Sequence, residues 1–102
     1  MFDIFNKLNE AKSMIEKAKQ ELESVIVEGQ SEGGKVKVKA NANKKILGVE
    51  IDPELIEMND KEILEDLLLV AINRALELAD KENAKHMQGT AQGLIPGFPG
   101  LF

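Results

Sequence analysis

The sequence predicts an α+β domain in the order α-β-β-β-α, with a three-stranded antiparallel sheet and two long helices. Residues 3–24 and 60–87 carry the apolar periodicity of helices. Between them, residues 35–40 alternate apolar and polar side chains, as half-buried strands do, and residues 45–52 suit a returning strand. A chain of 102 residues that is 43% hydrophobic has room for one core. We therefore expect one domain over residues 1–87 and a flexible Gly/Pro-containing tail over residues 88–102.

The first helix is predicted over residues 3–24, with Asp3 suited to its N-cap or to its first turn. Its apolar side chains recur at steps of three and four, so they share one face of the helix. They are Ile4, Leu8, Ala11, Ile15, Ala18 and Leu22. A rod of about 30 Å follows from its length, which is long for so small a protein.

Three strands are predicted between the helices. The β-branched run at residues 25–27 indicates the first strand, and the glycine-rich segment at residues 29–34 indicates a turn. Lysines alternate with small apolar side chains over residues 35–40, and residues 45–52 form the returning strand.

The hairpin between the second and third strands has a predicted register. A turn centred on residues 42–43 pairs Val38 with Leu47 and Val36 with Val49. One face of the hairpin is then apolar, and the other carries the lysines. We expect the apolar face to be buried and the lysine face to be exposed.

The second long helix follows a short helical turn. The Asp-Pro pair at residues 52–53 ends the third strand and begins that turn. Asn59 or Asp60 then caps the long helix. Its apolar stripe over residues 63–79 predicts a buried face, and the periodicity weakens near residue 87.

The composition argues against an enzyme. The chain has no cysteine, which excludes disulfides and thiolate metal sites. It has a single histidine, which makes a histidine-rich metal site or a catalytic Ser-His-Asp arrangement unfavourable. We expect no catalytic residue, no metal, no cofactor and no small-molecule substrate. His86 has no second nitrogen or sulfur ligand nearby in the sequence and is expected on the solvated surface.

One segment partly matches a phosphate-binding loop. Gly29 to Lys35 fit the pattern G-x-x-x-x-G-K. Val36, however, stands where Ser or Thr would hold magnesium, and an alternating strand follows where a helix should begin. We interpret the segment as a β-turn, so a nucleotide-binding protein is the weakest of the functional hypotheses.

No targeting or membrane segment is apparent. The N-terminus lacks a basic stretch followed by an apolar one, as a signal peptide would have. No uncharged run approaches the ~20 residues of a membrane span. We expect a cytoplasmic protein without a membrane partner.

Positive charge is concentrated in one part of this acidic chain. Residues 1–45 hold nine lysines and seven acids, whereas residues 46–102 hold four basic residues and eleven acids. The net charge of −5 argues against nonspecific nucleic-acid binding, but a local basic stripe acts within a screening length of about 8–10 Å. The candidate DNA-binding residues are Lys35, Lys37, Lys39, Lys44, Lys45, Lys81 and Lys85.

Several blocks of the sequence resemble the YbaB/EbfC family of bacterial nucleoid-associated proteins, and the resemblance covers essentially the whole chain. The most specific signature is Ile-Asp-Pro-Glu-Leu at residues 51–55, followed by the helix that contains Glu-Asp-Leu-Leu. The blocks are residues 27–38, 49–55 and 60–75, together with Met1-Phe2 and residues 93–98.

The resemblance implies a tweezer-like homodimer in which two three-stranded sheets meet and long helices project outward. It also implies binding to double-stranded DNA in the nucleoid, with effects on DNA conformation and gene expression and without enzymatic activity. The single arginine and the absence of a helix-turn-helix pattern favour backbone contacts over base readout. The alternative is a dimeric protein-interaction scaffold with weak or no DNA binding, favoured by the net charge and the uncharged residues 94–98.

Overall fold

A computed structural model of the chain describes residues 2–94, and it describes side-chain surroundings for residues 4–88. The predicted α+β order is confirmed, with a short helix between the sheet and the last helix. The elements are α1 (Phe2–Glu23), β1 (Ile26–Ser31), a 3₁₀ turn (Glu32–Gly34), β2 (Val36–Asn41), β3 (Ile46–Ile51), α2 (Pro53–Glu57) and α3 (Lys61–Leu94). No helix in this part of the chain is long and apolar enough to cross a membrane.

The three strands form an antiparallel sheet in the order β1-β2-β3, and α3 packs mainly on β1 and β2. Val36, Val38 and Ala40 of β2 point toward α3 and are fully buried. Opposite them, Ala71 and Ala75 of α3 are also fully buried. Small side chains on the helix bring its backbone close to the sheet, so the core is thin, as the size of the chain requires.

The glycine-rich segment is not a turn throughout, because its first residues belong to β1. Gly29 pairs with Val38 and Ser31 pairs with Val36 in the β1–β2 ladder. A Cβ on Gly29 would overlap the backbone of α3, so glycine is required there for packing rather than for turning. The turn itself is confined to residues 32–34, all three of which have positive φ.

The predicted register of the β2–β3 hairpin is wrong by two residues. Val38 pairs with Val49 rather than with Leu47, and Val36 pairs with Ile51. The turn is longer than predicted because Asn41 closes it: its Oδ1 accepts hydrogen bonds from the backbone N–H groups of residue 43 (2.9 Å) and residue 45 (3.2 Å). A shift of two keeps residues 36–39 and 48–51 on their predicted faces, whereas an irregularity next to Ala40 pairs that residue with Ile46. The valines are therefore buried and the lysines are not.

The capping predictions are confirmed for Asp52 and Asp60, whereas α1 begins at Phe2, before Asp3. Asp52 Oδ1 accepts a hydrogen bond from the backbone N–H of Glu54 at 2.9 Å, and Asp60 Oδ1 accepts one from Ile63 at 3.2 Å. Asn59 instead takes a left-handed conformation, with φ 55°. Helix α3 continues to Leu94 rather than ending near residue 87. Of the predicted flexible tail, residues 95–102 lie outside the described residues.

Helices α1 and α3 meet beyond the end of the sheet. Leu22 of α1 is fully buried at this junction, and Asn83 Nδ2 donates a hydrogen bond to the carbonyl oxygen of Ala42 at 3.0 Å. His86 Nε2 and Glu21 Oε2 share a hydrogen bond of 2.9 Å, so the histidine, whose side chain is 34% exposed, also joins the two helices at the surface. The result is an elongated molecule with Cα extents of 66 × 23 × 17 Å.

Candidate nucleic-acid interface

The sheet face turned away from α3 bears two of the predicted lysines at its centre. We call this the outer sheet face. Lys37 and Lys39 project from the central strand β2, because the alternate positions of that strand are buried against the helix. The side chains of the outer sheet face around them are Glu28 and Gln30 of β1 and Glu50 of β3.

Each central lysine has one acidic neighbour across the sheet. Lys39 lies between Glu28 and Gly48, and Lys37 lies between Gln30 and Glu50. Side chains directly opposite each other in antiparallel strands have Cβ atoms about 5 Å apart. The two lysines and two glutamates therefore balance in charge at the centre of this face.

The central lysines nevertheless remain available to an external anion. Neither Lys37 nor Lys39 forms an ion pair with any residue that the structure describes. Glu28 Oε2 instead accepts a hydrogen bond from Gln30 Nε2 at 2.8 Å. Gly48 adds no side chain, so Lys39 is open on the β3 side.

Two further predicted lysines lie near opposite ends of β2 and form ion pairs. Lys35 Nζ is 3.2 Å from Glu54 Oε2 of α2, and Lys44 Nζ is 2.7 Å from Asp80 Oδ1 of α3. All four side chains are at least two-fifths exposed. Exposed pairs of this kind contribute about 0–1 kcal/mol, so a phosphate can compete with the carboxylate for either lysine.

The remaining predicted lysines are distributed over two elements. Lys45 immediately precedes β3 and is exposed. Lys81 and Lys85 lie on α3, which covers the opposite face of the sheet, so they do not join Lys37 and Lys39. Lys85 Nζ is 4.0 Å from Glu82 Oε1, whereas Lys81 forms no ion pair with the residues that the structure describes.

Sequence reasoning missed the contribution of Glu28 to this face. The sequence predicts a strand over residues 25–27 and a turn from residue 29, whereas β1 continues through residue 31 and places Glu28 opposite Lys39. The signal was present in the alternation of residues 26, 28 and 30, but the glycine at residue 29 obscured it.

The other chemical motifs find no support in the geometry. Val36 begins β2 directly after Lys35, so a strand and not a helix follows the segment that resembles a phosphate-binding loop, as predicted. Within the described residues, no group of three or more histidine, cysteine, aspartate or glutamate side chains is placed to hold a metal ion.

The fold also occurs in a solved structure. The crystal structure of an uncharacterized protein from Helicobacter pylori superimposes with a TM-score of 0.75 and 26% sequence identity. The match covers 88% of this chain and 94% of that chain. The two proteins therefore share the arrangement of sheet and long helices.

The chain belongs to the YbaB/EbfC DNA-binding family, whose model matches residues 1–94. It is 40% identical over 101 residues to a nucleoid-associated protein of Dictyoglomus thermophilum, covering 99% of this chain and 96% of the relative. It is also 40% identical over 104 residues to a nucleoid-associated protein of Caldanaerobacter subterraneus, covering 99% and 92%. The resemblance found in the sequence is confirmed, and the family is one of DNA-binding proteins rather than enzymes.

Proposed function

We propose that this protein is a nucleoid-associated protein that binds double-stranded DNA through its phosphate backbone, as a homodimer. By binding, it alters DNA conformation, nucleoid organisation and gene expression. Its place of action is the nucleoid in the cytoplasm, as the names of its relatives suggest. Family membership supports DNA as the partner, and the unpaired Lys37 and Lys39 on an exposed sheet face supply a contact surface.

Backbone contact agrees with the character of the lysines. Lysine is a point charge on a flexible stem, which suits phosphate oxygens better than the fixed donor pattern of a base edge. The one arginine, Arg74, already donates from Nη1 to the carbonyl oxygen of Gln30. We therefore expect little preference among DNA sequences and a strong dependence on salt.

The test is fluorescence anisotropy with a labelled random-sequence duplex across a salt series. The variant K37Q/K39Q should bind every duplex more weakly, and the slope of log K against log salt should fall by about 0.9 for each lost phosphate contact. Lys61→Gln is the control, because Lys61 lies at the start of α3, where its side chain is exposed and pairs with Glu65 at 3.6 Å.

Two outcomes would contradict this assignment in different ways. If K37Q/K39Q kept the affinity and salt slope of the native protein, DNA would bind elsewhere, and Lys81 and Lys85 would be substituted next. If the native protein showed no binding even at about 50 mM salt, where phosphate contacts are strongest, the protein-interaction scaffold would replace the DNA-binding proposal.

The homodimer is supported by an uncovered apolar strip at the β3 edge. Val49 points to the same side as its partner Val38, yet Val49 is 45% exposed and Val38 is fully buried, because α3 does not extend over β3. Ile46 and Leu47 on the same strand are 38% and 48% exposed. An exposed apolar edge strand invites pairing with another chain, and a second copy would extend the thin core.

Sedimentation equilibrium tests the dimer and its location. Leu47→Asp and Val49→Asp should each shift the protein toward monomer, because a carboxylate would be buried in the interface. Ile26→Asp is the control, since Ile26 is 52% exposed on the opposite edge strand β1. A native protein that is monomeric at all concentrations, or a dimer that dissociates equally in all three variants, would contradict this interface.

A further inference from the structure

The apolar stripe of α1 is covered at one end and exposed at the other. Ala18 and Leu22, near the sheet, are 3% and 0% exposed. Ile4, Phe5 and Leu8, at the start of the helix, are 62%, 59% and 60% exposed. We call these three residues the α1 tip. Three large apolar side chains grouped on one exposed surface are typical of a docking site.

Helix α3 is too short to cover the α1 tip. The two helices are joined where Glu21 bonds His86. From there α3 continues for about 12 Å to Leu94, whereas Leu8 lies about 20 Å along α1 from Glu21, at 1.5 Å per residue. Even if the axes of α1 and α3 ran side by side from this contact, α3 would therefore end before it reached the α1 tip.

The residues that follow Leu94 have a composition suited to covering the α1 tip. Residues 95–102 read Ile-Pro-Gly-Phe-Pro-Gly-Leu-Phe, with four large apolar side chains and no charge. Residues 96 and 99 are prolines, and proline is disfavoured inside a helix but compatible with an extended chain. Eight extended residues reach about 26 Å, which exceeds the distance of about 14 Å still to be spanned from the level of Leu94 to that of Ile4.

We propose that residues 95–102 dock in an extended conformation on the α1 tip of the same chain. Phe98 lies near the middle of this segment and supplies the main contact with Phe5 and Leu8. Helix α3 would then cover the apolar stripe of α1 near the sheet, and residues 95–102 would cover its other end. The docked segment would shield apolar surface that is otherwise open to other proteins. This intramolecular contact is independent of DNA binding.

The absence of cysteine from the chain allows a direct cross-linking test. Lys12 lies one turn after Leu8 on the same face of α1. In the variant Lys12→Cys with Gly97→Cys, oxidation at low protein concentration should close a disulfide within one chain, seen as a faster-migrating monomer on a non-reducing gel. Adding Phe5→Ser and Leu8→Ser should slow closure by about tenfold, because the apolar contact is lost. Glu57→Cys with Gly97→Cys is the control, because Glu57 precedes the far end of α3, a helix about 50 Å long.

Each alternative has its own result in that experiment. Covalent dimers formed in place of the intrachain product would assign the tail to the tip of a second copy and overturn the proposal. Closure that is unaffected by Phe5→Ser and Leu8→Ser, or no faster than in the Glu57 control, would mean that no docked state exists.

A second measurement uses Phe98→Trp as the only tryptophan and the only strong fluorophore in the chain. Docking should shift its emission to the blue relative to the same chain carrying Phe5→Ser and Leu8→Ser, and the shift should not depend on protein concentration. Circular dichroism verifies that the helices persist in both variants. Equal emission in the two variants, or a shift that appears only at high concentration, would contradict docking within one chain.

Discussion

Gly29 of β1 lies directly beneath Ala75 of α3, where a Cβ on the glycine would stand 2.9 Å from the Ala75 Cα and overlap the backbone between Ala71 and Ala75. The helix and the sheet therefore meet backbone to backbone at this point. Such an approach is possible only because one partner has no side chain and the other has a methyl group.

Replacing Gly29 with alanine should destabilise the fold strongly. The added methyl group must push α3 away from β1, and overpacking of this kind costs about 3 kcal/mol. Urea unfolding at a fixed protein concentration measures the change in the free energy of unfolding. Gly48→Ala is the matched control, because nothing lies within 4 Å of a Cβ there. Similar losses in the two variants would show that Gly29 is not a packing constraint.

Ser31 should contribute to stability through one buried hydrogen bond. Ser31 is 3% exposed, and its Oγ donates to the carbonyl oxygen of Leu67 in α3 at 2.7 Å. Ser31→Ala should lower the free energy of unfolding by about 1 kcal/mol. Ser24→Ala removes a comparable bond to the carbonyl oxygen of Glu21, but Ser24 itself is exposed just after α1, so the effect should be smaller. A neutral Ser31→Ala variant would contradict this assignment.

Asn41 should determine the register of the β2–β3 hairpin. It is 4% exposed, and its Oδ1 satisfies two backbone N–H groups in the turn. Asn41→Ala leaves both donors without that partner and should cost about 2 kcal/mol. Asn41→Asp retains the acceptor and should recover part of the loss. Asn43→Ala is the control, because this variant loses an exposed side-chain hydrogen bond to the Lys19 carbonyl oxygen. Equal losses of stability in Asn43→Ala and Asn41→Ala would show that the turn does not depend on Asn41.

The glutamates of the outer sheet face should weaken DNA binding. Glu28 and Glu50 flank Lys39 and Lys37, and their charges oppose a phosphate approaching the lysines. Glu28→Gln or Glu50→Gln should raise the affinity about threefold at low salt, and the gain should decrease as salt increases. Anisotropy titrations measure the effect, with Glu62→Gln at the start of α3 as the control. An unchanged affinity in both glutamate variants would place DNA on another surface.

Much of the fold could be predicted because its local signals agree. The alternation of Val36 and Val38 with Lys37 and Lys39 identified both the strand and its buried face. The predicted hairpin register is wrong because the side-chain oxygen of Asn41 accepts two backbone hydrogen bonds and lengthens the turn. Residue preferences for turns do not indicate which side chain will make such bonds. Likewise, the sequence around Gly29 predicts a turn, and only the close approach of α3 explains why a glycine stands at this position of a strand.

The candidate site was predictable only in part. The exposure of Lys37 and Lys39 follows from strand periodicity and is present in the sequence. The ion pairs of Lys35 with Glu54 and of Lys44 with Asp80 are not, because the partners are brought together by the packing of helices on the sheet.

The sequence by itself determined the order of the elements, the buried face of each, and membership in a DNA-binding family. These properties depend on residue type and spacing, which act over a few neighbours along the chain. The tertiary structure decided which lysines remain unpaired, where Glu28 stands and which apolar strip at β3 stays uncovered. Those features arise from contacts between residues distant in the chain, and their geometry is fixed only when α3 packs on β1 and β2.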